Sequence, residues 1–455
     1  MTTSDTAGLL GLSRLVATVP GRSFGDGPGA QLLADLVTKM TAATTNLPFD
    51  GPAADDYGPY NAALSIALKA ATDNGDAVRL ALSGPGGLTL ATQLLEGATP
   101  VSETVGAYVT TVTDPGWAKL TDAGAIAEFL DAGVMAARGA DSTTMQSMQA
   151  ALNVVKATAA FSAWNPSNDQ HAYEVGKLPD SITASLRNYA TANMYDLAQS
   201  SMDSRTEAVQ SDAGIPGSPL TFIVKRSDAE TFLKVALRNP NDAMAYQTLV
   251  EGKYSEAVRN AIQFGPFYDT TDGYANLAAS AQQIIDGQSI DAAKQIDARN
   301  TNHQLIANML GGAFGNAPGP VGLGISQSLE GLMQPTIGGG AGWIGRFFDT
   351  SHAAQAQLDA HQSDINLEDH SKLLATQGAY QAGALVVVHD LTDVRHVPAG
   401  AAPNGPDMIS ADGAVRDNAT FQTWWKNGEN VPLGPGGQKL SDFAAKIQNA
   451  MAIHS

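Results

Sequence analysis

The chain has 455 residues, of which 44% are hydrophobic and 16% are charged, a composition that excludes an intrinsically disordered protein. Its length predicts two or three domains, or one extended helical array. The 45 acidic and 26 basic residues give a formal net charge of -19, which excludes nucleic acid as an electrostatically favoured partner. Because the sequence has no cysteine, disulfides, thiolate metal sites and cysteine nucleophiles are excluded as well.

The N-terminal stretch MTTSDTAGLLGLSRLVATVP has no basic region ahead of a long apolar core. A cleaved secretory signal is therefore not predicted. We expect a protein that leaves the cell, or reaches the envelope, by another route, and the alternative is a cytoplasmic protein.

Apolar residues at three-to-four spacing predict amphipathic helices along the first half of the chain. Two typical helices run from Ala30 to Thr44 and from Tyr60 to Gly75, the second ending at an Asn-Gly stop. The same spacing continues through AGAIAEFLDAGVMAARG, STTMQSMQAALNVVKATAAFSAW and LPDSITASLRNYATANMYDLAQSS. The first half is predicted to be helical throughout, and β-rich runs along the chain are confined to short pieces such as LTFIVK and ALVVV.

A glycine-rich turn lies between two apolar segments in DAVRLALSGPGGLTLATQLLEG, Asp76 to Gly97, where nucleotide-binding proteins often hold a phosphate. A Walker-type loop requires Gly-Lys-Ser/Thr, but Gly87 is followed by Leu88 and Thr89. Thr89 also stands where a dinucleotide fingerprint would place its third glycine. We therefore predict a tight helix-to-helix turn, with no bound cofactor.

Two breaks rich in glycine and proline, Ser211 to Phe222 and Ala399 to Gly413, suggest boundaries. They predict an N-terminal helical domain over 1–212, a second helical domain over 222–398 and C-terminal helices over 414–455. The fold class predicted is all-α, a multi-helix array or bundle with a central Gly/Ala-rich helical hairpin over 305–348. That segment, Leu305 to Phe348, carries only two charged residues, Glu330 and Arg346. Each half is shorter than a bilayer span, so a buried hairpin is expected, and membrane insertion is the alternative.

Histidines supply the candidate metal ligands. HDLTDVRH would place His389, Asp393 and His396 on one helical face, although the preceding ALVVV favours a strand. Histidines at 352, 361 and 370 alternate between faces of a helix and cannot converge. YDTTDG lacks the ligand spacing of a calcium loop and predicts a turn followed by a helix N-terminus. No catalytic set assembles, and neither a metal nor a cofactor is predicted.

Several sequence segments follow one another in the order found in a family of actinobacterial helical proteins, which this chain resembles. These are ETVGAYVTTVTDPGWAKLTDAGAIAEFLDAGVMAARG, LPDSITASLRNYATANMYDLAQSS and SDAETFLKVALRNPNDAMAYQTLVEGKYSEAVRNAI, followed by the Gly/Ala/Pro-rich segment. Together they are similar to the large proteins labelled "TPR repeat region-containing" that sit beside type VII (ESX-type) secretion components. The resemblance implies a helical fold and a secreted protein that works with a protein partner, such as a small Trp-x-Gly secretion protein.

Three functional classes follow. The first is a non-enzymatic secreted or envelope-associated scaffold, a component of a type VII-secreted effector or toxin assembly. The second is a membrane-inserting or pore-forming protein, in which Leu305 to Phe348 would enter the bilayer. The third is a hydrolase with a non-obvious site around His389, Asp393 and His396.

Overall fold

A computed structural model shows a predominantly helical protein, as predicted. The residues it describes contain fifteen α-helices and only short strands. They form two compact units, one made of the described residues up to Arg238 and the other of those from Asn239 onward. The structure describes residues 3–45, 57–98, 101–105, 108–112, 122–134, 145–163, 171–173, 178–202, 206–211, 220–265, 269–287, 367–388, 396–398, 415 and 419–454.

The first unit is built around one long helix, α7, which packs against α4, α5 and α10. Small buried side chains on α7, among them Ala150, Ala151 and Ala157, let these neighbours approach closely. The helices of the unit are α1 Thr3–Val16, α2 Pro28–Thr45, α3 Tyr57–Thr72, α4 Gly75–Ser83, α5 Gly87–Ala98, α6 Ala123–Val134, α7 Met145–Ala163, α8 Asp180–Ala192, α9 Met194–Ser200 and α10 Arg226–Ala236, with a 3-10 turn at Gly21–Phe24.

The helix starts follow local side-chain chemistry. Asn74 caps α4, because its side-chain oxygen accepts the Ala77 amide at 3.2 Å. The Asn-Gly pair predicted to stop the preceding helix therefore starts the next one, and α3 ends at Thr72. The buried residues Leu33, Leu36 and Met40 of α2 repeat at three-to-four spacing, which confirms the predicted amphipathic helix.

The first half is not helical throughout, which corrects the prediction. β1 and β2 pair antiparallel, and β3 adds to the free side of β1. Their sequences, VSETV and YVTTV, are rich in the β-branched residues that favour strands over helices. The strands of this unit are β1 Val101–Val105, β2 Tyr108–Val112, β3 His171–Tyr173, β4 Ala208–Ser211 and β5 Leu220–Ile223.

The second unit contains a four-helix bundle. α11 packs against α12 and α13, and both of those helices pack against α15, which closes the ring. The hydroxyl of the buried Tyr254 in α11 donates a hydrogen bond to the Phe443 carbonyl in α15. The elements of this unit are α11 Pro240–Phe264, α12 Thr271–Gly287, α13 Leu367–Gln381, α14 Ala419–Gly428 and α15 Leu440–His454, with strands β6 Val386–Val388, β7 His396–Pro398, β8 Pro432–Leu433 and β9 Gln438–Lys439.

The two units divide the chain at a different place from the predicted boundaries. β4 and β5 form an antiparallel pair across the break at Ser211 to Phe222, so this break lies inside the first unit. Helix α15, from the predicted C-terminal segment 414–455, packs against α12 and α13 and belongs to the second unit. The Gly/Ala-rich segment Leu305 to Phe348 and the break at Ala399 to Gly413 lie outside the described residues.

Candidate functional site

The glycine-rich turn between α4 and α5 is a helix-to-helix turn, as predicted. Two of its amides donate hydrogen bonds there, Gly84 N to Leu80 O at 3.0 Å and Gly87 N to Gly84 O at 2.8 Å. The carbonyl of Leu82 accepts the side-chain amide of Asn153 in α7 at 2.7 Å. This arrangement closes the C-terminal end of α4.

Gly87 is required by close packing. A Cβ atom at this position would lie 1.9 Å from Leu82 O and 2.9 Å from the Asn153 side-chain nitrogen. A Cβ at the neighbouring Gly86 would meet only a methyl of Thr38, at 3.9 Å. The glycine motif therefore serves the contact between α4, α5 and α7 and sets where α5 begins.

Beyond this turn, residues of α5, α7 and α10 line an open groove of about 550 Å³. We name it the α5/α7/α10 groove. Its volume falls in the range of specific binding sites in proteins. Lys156 and the alanines 159 and 160 contribute the α7 side, and Asp228, in the first turn of α10, completes the lining. The α5 side is lined by Leu88, Thr89, Thr92, Gln93 and Glu96.

The polar residues of α5 in the groove lie on one helical face. The spacing is i, i+3, i+4 and i+7 for Thr89, Thr92, Gln93 and Glu96, which places their side chains on the same side of the helix. The opposite face of α5, with Leu90, Leu94 and Leu95, is buried in the unit. The leucine that enters the groove, Leu88, is exposed.

The charged residues that line the groove are Glu96, Lys156 and Asp228. The Lys156 ammonium donates to the carboxylate of Glu207, so its positive charge is already paired. Glu96 and Asp228 add two further carboxylates to the lining. The lining therefore holds two carboxylates and one ammonium, and the ammonium is paired with Glu207, which lies outside the lining.

A second polar cluster in the first unit is buried between α6 and α8. Asn188 Nδ2 donates to Asp131 Oδ1 at 3.0 Å, and burial raises the pKa of the Asp131 carboxyl above its ordinary value. The buried Tyr189 hydroxyl and the Asn188 side-chain oxygen have no hydrogen-bonding partner within the described part of the chain. Burial, and to a lesser extent the Asp131 charge, raises the pKa of Tyr189.

In the segment LPDSITASLRNYATANMYDLAQSS, the aspartate of the Tyr-Asp pair has a structural role. Asp196 of α9 is fully buried, and its Oδ1 accepts Thr221 Oγ1 at 2.7 Å and the Phe222 amide at 3.1 Å. Ser200 Oγ, one turn later, accepts the Val224 amide at 3.1 Å. Together these bonds attach strand β5 to α9.

The stretch YDTTDG begins helix α12, as predicted. Asp269 Oδ1 accepts the amide of Thr271, the first residue of the helix, at 3.0 Å. The Lys446 ammonium in α15 donates hydrogen bonds to Asp269 Oδ2 at 2.8 Å, Thr271 Oγ1 at 2.8 Å and Asp272 Oδ2 at 3.0 Å. The carboxylates of this stretch therefore bind a lysine of the same unit and join α15 to the start of α12.

The predicted metal ligands lie mostly outside the described residues, which include neither His389 nor Asp393. His396 begins strand β7, which pairs parallel with β6, so it does not lie on the helical face that the spacing suggested. The ALVVV run forms β6 because its β-branched residues favour extended backbone. Among the described residues, no group of three or more histidines, aspartates or glutamates is arranged to hold a metal ion.

Comparison with protein-family models, curated protein sequences and solved structures yielded no match to this chain. Within the described ranges, no helix combines the length and apolarity needed to cross a membrane. The α5/α7/α10 groove is therefore the candidate site that the geometry itself provides. Sequence analysis missed it, although the spacing of Thr89, Thr92, Gln93 and Glu96 on α5 was a readable signal of one shared polar face.

Proposed function

We propose that this protein is a non-enzymatic helical scaffold that binds a protein partner in the α5/α7/α10 groove. The observation that carries the proposal is the groove itself, which is walled by helices, has alanines at its α7 side and exposes Leu88. Proteins commonly recognise a helix of a partner by laying its apolar face in such a groove. The polar clusters around Asp131, Asp196 and Asp269 support a scaffold role, because their hydrogen bonds connect elements of the fold.

The resemblance to "TPR repeat region-containing" proteins suggests where this scaffold works. We propose that it belongs to a type VII-secreted effector or toxin assembly and is exported to the envelope or beyond without a cleaved signal. A small Trp-x-Gly secretion protein is the proposed partner, since these partners are helical hairpins and therefore present a helix to the groove.

Site-specific photocrosslinking tests the binding part of this proposal. The chain is co-expressed with a small Trp-x-Gly protein of its own genome, with a photoreactive amino acid at Thr92 in the groove or at the exposed Gln31 of α2. We expect a covalent adduct from position 92 and none from position 31. No adduct at position 92, or equal adducts from both positions, would contradict groove binding.

Fractionation of the native cells tests the location. Antibodies against the chain should detect it in the culture filtrate or the envelope fraction, and loss of the type VII secretion ATPase should retain it in the cytoplasm. A protein confined to the cytoplasm of wild-type cells would overturn the secretion part of the proposal and leave groove binding to be judged on the crosslinking result.

A further inference from the structure

The turn between the 3-10 helix at Gly21–Phe24 and α2 contains an exposed Asp-Gly pair, Asp26 and Gly27. The glycines on both sides of Asp26 have positive φ, 64° at Gly25 and 68° at Gly27. A Cβ atom at either glycine would meet nothing within 4 Å, so the space beside both residues is open. The turn therefore leaves room for the Asp26 side chain to rotate towards the amide that follows it.

The amide that follows Asp26 is available for reaction. Gly27 N donates no hydrogen bond within the described part of the chain, although Gly27 O accepts the Gln31 amide at 2.9 Å at the start of α2. An amide nitrogen can attack the γ-carbon of a preceding aspartate when the backbone lets the two atoms approach. Glycine hinders this attack least because it has no Cβ and adopts many backbone conformations.

We infer that Asp26 is a site of spontaneous isomerisation to isoaspartate. Gly27 N forms a bond to the Asp26 γ-carbon, and the hydroxyl of the protonated carboxyl group leaves with the amide proton as water. Water then adds to the resulting succinimide. Cleavage between Gly27 N and the main-chain carbonyl carbon of Asp26 gives isoaspartate, whereas cleavage of the newly formed bond restores aspartate. The atoms balance without a cofactor, an oxidant or a reductant.

The same dipeptide occurs in a different setting at Asp272 and Gly273, in the first turn of α12. Asp272 is exposed, as Asp26 is, but its Oδ2 accepts the Lys446 ammonium at 3.0 Å. Helical ψ keeps the Gly273 nitrogen away from the line of attack on the Asp272 γ-carbon. The two pairs therefore share residue types and exposure, and differ in backbone conformation and in the ion pair.

Isomerisation of Asp26 changes the connection into α2. Isoaspartate adds a carbon atom to the main chain between two carbonyl groups that accept hydrogen bonds. Gly25 O accepts Asn74 Nδ2 at 3.0 Å, and Gly27 O accepts the Gln31 amide. Because the main chain between these acceptors becomes longer, we expect them to shift and the first turn of α2 to open more often.

Ageing of the full chain tests the inference. Folded protein and protein unfolded in guanidinium chloride are incubated near neutral pH and then digested. Electron-transfer fragmentation, which distinguishes isoaspartate from aspartate, identifies the peptides that contain positions 26 and 272. In the folded chain we expect at least tenfold more isoaspartate at Asp26 than at Asp272. In the unfolded chain we expect the two to differ less than threefold, because the local conformations are lost.

A matched pair of variants isolates the geometry of the turn. Asp26→Asn and Asp272→Asn make the same change at the two sites, and succinimide formation then releases ammonia and is read as a gain in mass. We expect the folded Asp26→Asn chain to deamidate at least tenfold faster than the folded Asp272→Asn chain. Circular dichroism confirms that both variants are folded. In the parent chain, the chromatographically separated isoaspartate form should exchange the Gln31 amide proton at least threefold faster.

Equally slow reactions at positions 26 and 272 in the folded chain would mean that the turn holds Asp26 as firmly as the helix holds Asp272. That result would overturn the inference. It would also be overturned if Asp26 reacted at least tenfold more slowly in the folded chain than in the unfolded chain. Unchanged exchange at Gln31 would contradict the effect on α2 and leave the modification site supported by the ageing result.

Discussion

Single buried side chains in this protein differ in whether their polar atoms are satisfied. Tyr189 and Tyr254 are both fully buried, but among the described residues only the Tyr254 hydroxyl has a partner, the Phe443 carbonyl. A made hydrogen bond contributes about 1 kcal/mol, whereas a buried hydroxyl without one lowers stability. The two tyrosines therefore offer a matched comparison.

We predict opposite effects when each hydroxyl is removed. Tyr254→Phe should lower the free energy of unfolding by about 1 kcal/mol, because it removes the hydrogen bond to the Phe443 carbonyl. Tyr189→Phe should leave stability within about 0.5 kcal/mol of the parent or increase it. Chemical denaturation followed by circular dichroism measures both, and a marked loss for Tyr189→Phe would show that its hydroxyl has a partner after all.

The raised pKa of Asp131 makes a pH-dependent prediction. A carboxyl whose folded pKa lies above its unfolded value contributes most to stability at low pH, and that contribution is lost as the pH rises through the folded pKa. Asp131→Asn, which can still accept from Asn188, should therefore be more stable than the parent at neutral pH. The difference should disappear as the pH falls below about 4, the range of an ordinary aspartate.

The control for Asp131 is Asp35→Asn, which removes the same charge from an exposed position of α2. It should leave the free energy of unfolding unchanged at neutral pH, since an exposed carboxylate is solvated in both states. A parent protein that is more stable than Asp131→Asn at neutral pH would contradict the role of burial.

At the scale of elements, the β8–β9 hairpin requires glycine for two different reasons, backbone conformation and close packing. Gly434 and Gly437 both have positive φ, at 65° and 64°. A Cβ on Gly434 would lie 2.1 Å from the carbonyl oxygen of Ile262 in α11, whereas a Cβ on Gly437 would meet nothing within 4 Å. Backbone conformation alone requires glycine at 437, and close packing adds a second requirement at 434.

We predict that alanine substitution at these two positions separates the free-energy cost of the backbone conformation from the cost of the steric overlap with α11. Gly437→Ala should destabilise the fold by about 1 to 2 kcal/mol, the cost of the left-handed conformation. Gly434→Ala should cost about 3 kcal/mol or more, because the hairpin must also move away from α11. Thermal and chemical denaturation give both values. Equal losses for the two variants would mean that the hairpin moves away from Ile262 at little cost.

Elements also show what local sequence could reveal. Helices α2 and α3 were predictable because three-to-four spacing is a property of neighbouring residues. The valines and threonines of VSETV and YVTTV indicated strands β1 and β2. The prediction of a fully helical first half did not take them into account. The metal-site hypothesis at His389, Asp393 and His396 assumed one helix, whereas β6 and β7 are extended segments.

For the molecule as a whole, the dominant physical quantity is its charge. A formal net charge of -19 means that like charges repel in the folded state more than in the expanded chain. We predict that adding sodium chloride to about 0.3 M raises the melting temperature at neutral pH, because the screening length falls below 10 Å. Near the isoelectric point the same addition should have little effect, and an equal rise there would contradict this explanation.

The sequence by itself determined the helical class, the helix-to-helix turn at Gly84 to Gly87 and the start of α12 at YDTTDG. These features depend on residues within a turn or two of one another, so local periodicity and capping are sufficient to predict them. Only the tertiary structure decided that Asn153 would close the end of α4 from 71 residues away, and that Lys446 would meet Asp269. The α5/α7/α10 groove also depends on the tertiary structure, because the polar face of α5 becomes one side of a groove only when other helices pack beside it.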